Sequence, residues 1–263
     1  YGFIGGETSQ WEPQLYRDTR PVRPPSRFDQ GYHLTTDLTD QAVRWLHEQQ
    51  QRTPDKPYFL YFATGATHAP LHVAPEWIAR YHGQFDQGWD RLREETLARQ
   101  KRLGLVPQDT LLTPRPKELA EWASLPADTR RLLARQMEVY AGFLSQTDAE
   151  VGRLIDAVQK GPHGDNTLII YVVGDNGGSA EGGLEGSDQN LASLITGRPQ
   201  SVAAQLPHID QLGSAAFDNH YASAWGWATS TPFQWAKQVA SHFGGVRNGM
   251  VISWPARIQG GGI

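Results

Sequence analysis

The chain has 263 residues, 39% of them hydrophobic and 20% charged, which is ordinary for a globular protein and excludes a disordered chain. Its net charge of −4 gives no basic surplus of the kind that binds nucleic acid. Because it contains no cysteine, disulfides, thiolate zinc sites and cysteine nucleophiles are excluded within it. No apolar run approaches the roughly 20 residues that cross a bilayer, so we expect no membrane span.

Both ends of the sequence look cut. The opening residues Tyr1-Gly2-Phe3-Ile4 resemble the interior of a strand or a buried turn, and the last residues are rich in glycine. We therefore expect that further segments of the protein, including any localisation signal, lie outside these residues. The sequence itself predicts neither a compartment nor an oligomeric state.

The first elements follow from apolar spacing and from proline. Residues 1–32 are rich in Pro, Gly and Arg and are predicted to be irregular or extended. A helical apolar stripe runs through residues 36–46, with Asp37 or Thr39 as its N-cap, and Pro54 ends this helix. The run Tyr58–Ala63 is short, aromatic and bounded by Pro and Gly, which predicts a buried parallel strand.

The middle of the chain is predicted to be mainly helical. Residues 75–105 are charged and contain tryptophan, and we expect helices there. Residues 106–128 are interrupted by prolines, which favours a surface insertion. Residues 129–160 carry a long amphipathic stripe that predicts one helix, broken at Gly161-Pro162.

The last third contains two predicted strands and a long loop region. Thr167–Val173 is the strongest strand of the sequence, and Gly249–Trp254 is the final one. Between them, residues 177–230 are rich in Gly, Ser and Ala with weak periodicity. The order of strand, helix and strand predicts a single α/β domain over residues 1–263, with a mostly parallel sheet flanked by helices.

Polar residues follow two of the predicted strands. His68 comes after Tyr58–Ala63, and Asp175-Asn176-Gly177 follows Thr167–Val173. In a parallel sheet these side chains would share one rim. Asp175 and Asn176 offer the oxygen ligands of a hard cation such as Ca²⁺ or Mg²⁺, and His68 offers a proton donor or an anion ligand. The alternatives are an ordinary Asp-Asn-Gly turn and a structural histidine.

Lys237 precedes a Gly-Gly turn at Gly244-Gly245 and offers an ammonium group to an anion. Its alternative is a solvated surface lysine. Trp225, Trp227 and Trp235 line either a substrate pocket or the protein core. His220 and His242 are close enough in sequence to Lys237 to support it.

In this order the pieces resemble the sulfatase family, within the alkaline-phosphatase-like superfamily, and most closely its bacterial arylsulfatase-like members. Those members carry a long insertion that corresponds to about residues 80–128 here. The resemblance covers residues 35–255. The matching stretches are Thr35–Ala42, Lys56–Phe62, Thr67–Pro70, Tyr140–Phe143, Asp148–Leu154, Thr167–Gly177, Lys237, Gly244–Arg247 and Ser253–Pro255.

The resemblance implies hydrolysis of sulfate esters by a formylglycine hydrate, made from the Cys or Ser of a Cys/Ser-x-Pro/Ala-x-Arg motif. It implies a divalent cation, usually Ca²⁺, with Asp175 and Asn176 as half of its protein ligands. His68 would contact the ester and assist the leaving group, and Lys237 would bind a sulfate oxygen. The substrate would be a small-molecule or glycan sulfate ester.

The sequence departs from the family at its nucleophile. It has no Cys, and its one Ser followed by x-Pro-x-Arg, Ser253, belongs to the stretch Ser253–Pro255 that matches the end of the family's series and not its nucleophile. The family's paired Asp ligands and its Lys/His pair are also absent. Since two protein ligands cannot hold a hard divalent ion tightly, we expect these 263 residues alone to be inactive. The parent protein is expected to be an enzyme, with formylglycine in the segment outside this sequence.

Two other functions remain open at this point. A phosphonate or phosphodiester hydrolase of the same superfamily would use overlapping metal and anion chemistry. A non-catalytic, tryptophan-rich glycan-binding module is the other alternative, and it is disfavoured because regularly spaced short strands are not evident.

Overall fold

The structure is a computed structural model, and it describes residues 1–262. It contains eight α-helices and four short strands over these residues. The helices are α1 (Leu34–Arg52), α2 (Pro75–Ala79), α3 (Gly88–Arg102), α4 (Ala127–Gln159), α5 (Asn190–Thr196), α6 (Val202–Gln205), α7 (Ser223–Thr229) and α8 (Phe243–Val246). The strands are β1 (Leu15–Arg17), β2 (Arg20–Val22), β3 (Ile169–Val173) and β4 (Gly249–Ser253).

Helix α4 is the longest element, and α1 and α2 both pack against it. Its buried side chains recur with helical spacing, which confirms the amphipathic helix predicted at 129–160. Helix α1 likewise confirms the stripe predicted at 36–46, and it ends before Pro54. Its predicted N-cap is wrong, because the helix starts after His33 and both Asp37 and Thr39 lie inside it. Gly142 lets the backbone of α2 approach α4, because a Cβ there would lie 2.9 Å from the amide nitrogen of Ile78.

An aromatic cluster joins α3 to α7 beside α4. The ring of Trp89 lies edge-on to those of Trp122 and Trp225, with centroid distances of 4.7 and 5.4 Å. Trp225 is fully buried, and its indole N–H donates to the carbonyl oxygen of Leu133 at 2.8 Å. Burial of such large rings stabilises the core, so α7 is held firmly against α3 and α4.

The predicted mostly parallel sheet is not confirmed in the described residues. Strand β1 pairs antiparallel with β2, and β3 pairs antiparallel with β4, with Ile169 opposite Ser253 and Val173 opposite Gly249. Both strand positions of the second sheet were predicted, but their mutual direction was not. Pairing direction depends on contacts between residues about 80 positions apart, which local apolar patterns do not encode.

The run Tyr58–Ala63 was predicted to be a buried parallel strand, and this prediction is wrong for the described residues. It has no strand partner within residues 1–262, and Phe59 and Tyr61 are 87% and 80% exposed. Its aromatic composition suits a sheet, but a strand needs a neighbouring backbone to satisfy its amides. It nevertheless leads directly into the turn that carries His68.

The long region predicted to be a loop folds into short helices instead. Helices α5, α6 and α7 lie within residues 177–230, joined by turns. Among the described helices, none is both long enough and apolar enough to cross a membrane.

Candidate active site

His68 lies in the turn that follows the extended run 58–63. Its backbone N–H donates to the carbonyl oxygen of Gly65 at 3.0 Å, which closes the turn. Its side chain is 38% exposed, and Nδ1 lies 3.0 Å from the carbonyl oxygen of Ala69. The imidazole is thus held from one side, while Nε2 faces the neighbouring loops.

Lys237 comes from the other end of the chain and meets His68 there. Its Nζ lies 2.8 Å from Nε2 of His68, although the two residues are 169 positions apart. Its side chain is only 17% exposed, and its backbone N–H donates to the carbonyl oxygen of Gly178 at 2.9 Å. Lys237 is therefore a partly buried side chain held in contact with His68, and not a solvated surface lysine.

Two carboxylates flank this pair, and the sequence analysis missed both. Oε1 of Glu181 lies 3.1 Å from Nζ of Lys237, and its Oε2 lies 3.9 Å from Nε2 of His68. Oε2 of Glu7 lies 3.5 Å from Nδ1 of His68. The sequence carries no signal that separates Glu181 from Glu185 and Asp188, the other acidic residues of the Gly- and Ser-rich stretch after β3.

The two carboxylates differ electrostatically. Burial alone would raise the pKa of Glu181, but the hydrogen bond and charge of Lys237, with His68 and His220, hold it below its usual value. Burial and the charge of Asp218 raise the pKa of Glu7, although His68 and Lys237 oppose this. Glu181 is therefore the firmly ionised carboxylate of the cluster.

Asp175 and Asn176 lie on the loop directly after β3. The side-chain amide of Asn176 donates to Oδ1 of Asp175 at 2.7 Å, and Asp175 is exposed. The N–H of Gly177 donates to the carbonyl oxygen of Gly245 at 3.0 Å, which ties this loop to α8. Within residues 1–262, neither side chain hydrogen-bonds to His68 or Lys237.

The oxygens of Asp175 and Asn176 have the right chemistry for Ca²⁺ or Mg²⁺, since both ions prefer oxygen ligands. They remain only two ligands. Over the part of the chain that the structure describes, no three His, Asp or Glu side chains are grouped so that they could hold a metal ion. The residues present therefore fit part of a cation site and not a complete one.

The remaining residues named from the sequence mostly support the fold. His220 is buried and lies 2.8 Å from the carbonyl oxygen of Tyr221 through Nδ1; burial lowers its pKa to about 4. Trp225 and Trp227 are core residues, whereas Trp235 is 43% exposed. His242 contacts the hydroxyl of Ser241 at 2.9 Å.

Comparison with known proteins identifies the family. The model of the Sulfatase family matches residues 1–261, nearly the whole chain. The chain belongs to the sulfatase family. Its fold class is accordingly the α/β class of sulfatase domains.

Curated relatives include other sulfatases. The chain is 26% identical over 273 aligned positions to the arylsulfatase of Klebsiella aerogenes, covering 100% of this chain and 55% of that protein. It is 28% identical to the uncharacterized sulfatase PB10D8.02c of Schizosaccharomyces pombe, covering 83% of this chain and 38% of that protein. This sulfatase chain thus spans about half or less of the length of these relatives.

Among solved structures, the crystal structure of Ps i-CgsB in complex with k-i-k-neocarrahexaose superposes with a TM-score of 0.46 at 18% identity. The superposition covers 92% of this chain and 31% of that one.

Proposed function

We propose that this chain supplies part of the active site of a sulfate ester hydrolase. The supporting observation is the 2.8 Å contact between Nζ of Lys237 and Nε2 of His68 in a member of the sulfatase family. An ammonium group is a compact point charge for an anionic oxygen, and an imidazole can transfer a proton to a leaving oxygen. A sulfate monoester needs both groups, since it is an anion with a poor alcohol leaving group.

In this proposal Lys237 binds a sulfate oxygen and His68 donates a proton to the ester oxygen. Breaking the S–O bond of an ester leaves an alkoxide or phenoxide, which requires one proton. His68 delivers that proton from Nε2 when the ring carries protons on both nitrogens. Glu7 and Glu181 lie on the two sides of such a ring, at 3.5 and 3.9 Å from its nitrogens.

Asp175 and Asn176 would hold part of a divalent cation, Ca²⁺ or Mg²⁺. Since such ions take six or more ligands, the other ligands have to come from outside these two side chains. When bound, the ion supplies positive charge that stabilises sulfate oxygens. A formylglycine nucleophile is likewise assigned to a segment outside the present sequence, because the sequence has no Cys. Its one Ser-x-Pro-x-Arg begins at Ser253, which pairs with Ile169 at the end of the β3–β4 ribbon away from Asp175. The 263 residues by themselves are therefore expected to be inactive.

The test uses the whole protein that contains these residues and measures 4-nitrophenol release from 4-nitrophenyl sulfate. Lys237→Ala should lower kcat/KM by about 10²-fold, the usual loss when a charge-stabilising group is removed. Lys160→Ala is the matched control, because Lys160 pairs with Asp156 on the surface of α4. Activity of K237A equal to that of K160A would contradict the role of Lys237.

Bis(4-nitrophenyl) phosphate is assayed in parallel. Cleavage of this phosphodiester without cleavage of the sulfate ester would replace the proposal with a phosphodiester hydrolase on the same residues. Sulfate ester hydrolysis by the isolated 263-residue chain would contradict the assignment of the nucleophile to another segment.

A further inference from the structure

Glu181 is fixed by hydrogen bonds to both of its carboxylate oxygens. Oε1 accepts from Nε2 of Gln238 at 2.9 Å in addition to Nζ of Lys237 at 3.1 Å. Oε2 accepts from the hydroxyl of Ser179 at 3.4 Å, and that hydroxyl accepts from the backbone N–H of Glu181 at 3.2 Å. With its side chain 17% exposed, Glu181 has little freedom to turn away from Lys237.

The backbone around Glu181 is held equally closely. The N–H of Ser179 donates to the hydroxyl of Tyr221 at 3.0 Å, and the carbonyl of Gly178 accepts from the N–H of Lys237 at 2.9 Å. The loop that carries the carboxylate is therefore bonded to the residue whose ammonium the carboxylate binds. Such a double connection fixes the distance between the two side chains.

The contact between Lys237 and His68 determines the tautomer of the imidazole. A lysine ammonium only donates hydrogen bonds, so Nε2 of His68 must offer its lone pair at 2.8 Å. The proton of the neutral ring then lies on Nδ1, which faces the carbonyl oxygen of Ala69 at 3.0 Å and Oε2 of Glu7 at 3.5 Å. The nitrogen beside the lysine is thus an acceptor in the resting site.

We propose that Glu181 is a positioning residue that holds the ammonium of Lys237 on Nε2 of His68 and so fixes the Nδ1–H tautomer. Its importance for catalysis rests on the proposed sulfate ester hydrolysis. The four-carbon stem of Lys237 is flexible, and the carboxylate restricts it to one position. An arriving sulfate can then take the ammonium N–H that Nε2 of His68 accepts in the resting site, while Glu181 keeps another. The released Nε2 can then bind the proton that it passes to the ester oxygen.

The charged and titratable groups around His68 are Glu7, Glu181, His220 and Lys237, and Asp218 acts in turn on Glu7. Among these, His220 is kept neutral near pH 7 by burial, which lowers its pKa to about 4. Lys237 is the group whose N–H reaches Nε2, and Glu181 is the carboxylate that contacts its ammonium. Removing either one should therefore produce the same change at the ring.

The experiment records long-range ¹H–¹⁵N spectra of the ¹⁵N-histidine-labelled whole protein that contains these residues, at about pH 8, above the ordinary titration range of histidine. The His68 ring is assigned by its loss in His68→Gln. The wild-type chain should show Nε2 as a lone-pair nitrogen and Nδ1 as the N–H nitrogen. In both Glu181→Gln and Lys237→Met, the two shifts should move toward the opposite assignment, and Glu181→Asp should retain more of the wild-type pattern.

Glu150→Gln is the matched control, because Glu150 is also a shielded carboxylate that pairs with a basic residue, Arg153, away from His68. Its spectrum should equal that of the wild type. A change in K237M without a change in E181Q would make Glu181 a mere loop anchor and overturn the proposal. An Nε2–H ring in the wild type would overturn it as well.

No substrate is present in this measurement. If the tautomer prediction fails while the whole protein hydrolyses the sulfate ester, only the proposed role of Glu181 is contradicted. If the tautomer is confirmed while the whole protein does not hydrolyse the ester, the hydrolase proposal is contradicted and the positioning contact stands.

Discussion

The guanidinium of Arg93 stacks on the ring of Trp227, 4.0 Å from its centroid, and donates to the carbonyl oxygen of the same residue at 2.8 Å. Its other amino group reaches the hydroxyl of Thr113 at 3.0 Å and the carbonyl oxygen of Pro232 at 3.3 Å. Arg93 is 1% exposed and forms no salt bridge within residues 1–262. It therefore joins α3 to the chain that leads toward Lys237 through backbone carbonyls.

Replacing Arg93 by Ala should reduce the free energy of unfolding by about 3 kcal/mol, because several buried carbonyl oxygens lose their donor. Burial lowers the pKa of Arg93 to about 10, so the native group is still charged at neutral pH. Urea unfolding at pH 7 measures the effect. Arg99→Ala, on the exposed side of α3, should stay within about 0.5 kcal/mol of wild type. Equal midpoints for the two variants would contradict this role.

Three buried histidines predict loss of stability in mild acid. Burial lowers the pKa values of His33, His72 and His220 to about 4 each. Their ordinary value is 6.5, so between pH 6.5 and 4 the unfolded chain binds more protons than the folded one. Stability should therefore fall as the pH falls through this window, by up to roughly 1.4 kcal/mol per pH unit for each histidine.

The acid prediction is checked by urea unfolding between pH 7 and 4.5 in wild type and His72→Gln. The variant should show a shallower pH dependence, whatever its stability at pH 7. His47→Gln changes an exposed ring on α1 and should keep the wild-type slope. An unchanged slope in H72Q would show that His72 takes no part in the acid transition.

Gly177 should not tolerate a side chain. A Cβ at this position would overlap the carbonyl oxygen of Gly244, so the loop of Asp175 and Asn176 would have to move. Gly177→Ala should cost more than about 1 kcal/mol, as forced overpacking does. In Gly249→Ala nothing lies within 4 Å of the added carbon, and the cost should be smaller. Thermal unfolding of both variants compares them; a smaller loss in G177A than in G249A would refute the close approach.

Gln136 should be a sensitive core position. Its amide nitrogen donates to the carbonyl oxygen of Glu185 at 2.9 Å, and its Oε1 accepts from the N–H of Ala222 at 3.1 Å. Gln136→Leu keeps the volume but leaves these backbone groups unpaired, and should cost about 2 to 4 kcal/mol. Gln159→Leu, exposed at the end of α4, should cost under about 0.5 kcal/mol by urea unfolding. Similar losses would argue against the buried network.

The helices were largely predictable because their information is local. The apolar stripe of α4 is carried by residues three and four apart, and its end at Gly161-Pro162 is a local breaker. The pairing of β3 with β4 joins distant segments, so the sequence predicted the strands and not their direction. The aromatic run 58–63 indicated suitability for a sheet, but it could not indicate whether a partner strand is present.

The same distinction between local and long-range information applies to the candidate site. His68 and Lys237 were named because their residue types suit an anion, yet their contact depends on the packing of distant loops. Glu181 was missed because no periodicity or spacing distinguishes it from Glu185 and Asp188 in the same glycine-rich stretch. Its relation to the site is evident only from its contact with Lys237 in the structure. Asp175 and Asn176 stay a prediction as metal ligands.

The sheet formed by β3 and β4 has a practical consequence for the isolated chain. Ile170, Val172, Met250, Val251 and Ile252 are each at least 44% exposed, so apolar side chains of both strands meet water. A short two-stranded ribbon with open edges also offers unpaired amides and carbonyls to any extended backbone. In concentrated solution, the 263-residue chain should bind apolar dyes and self-associate through this ribbon, and charged substitutions on it should improve solubility.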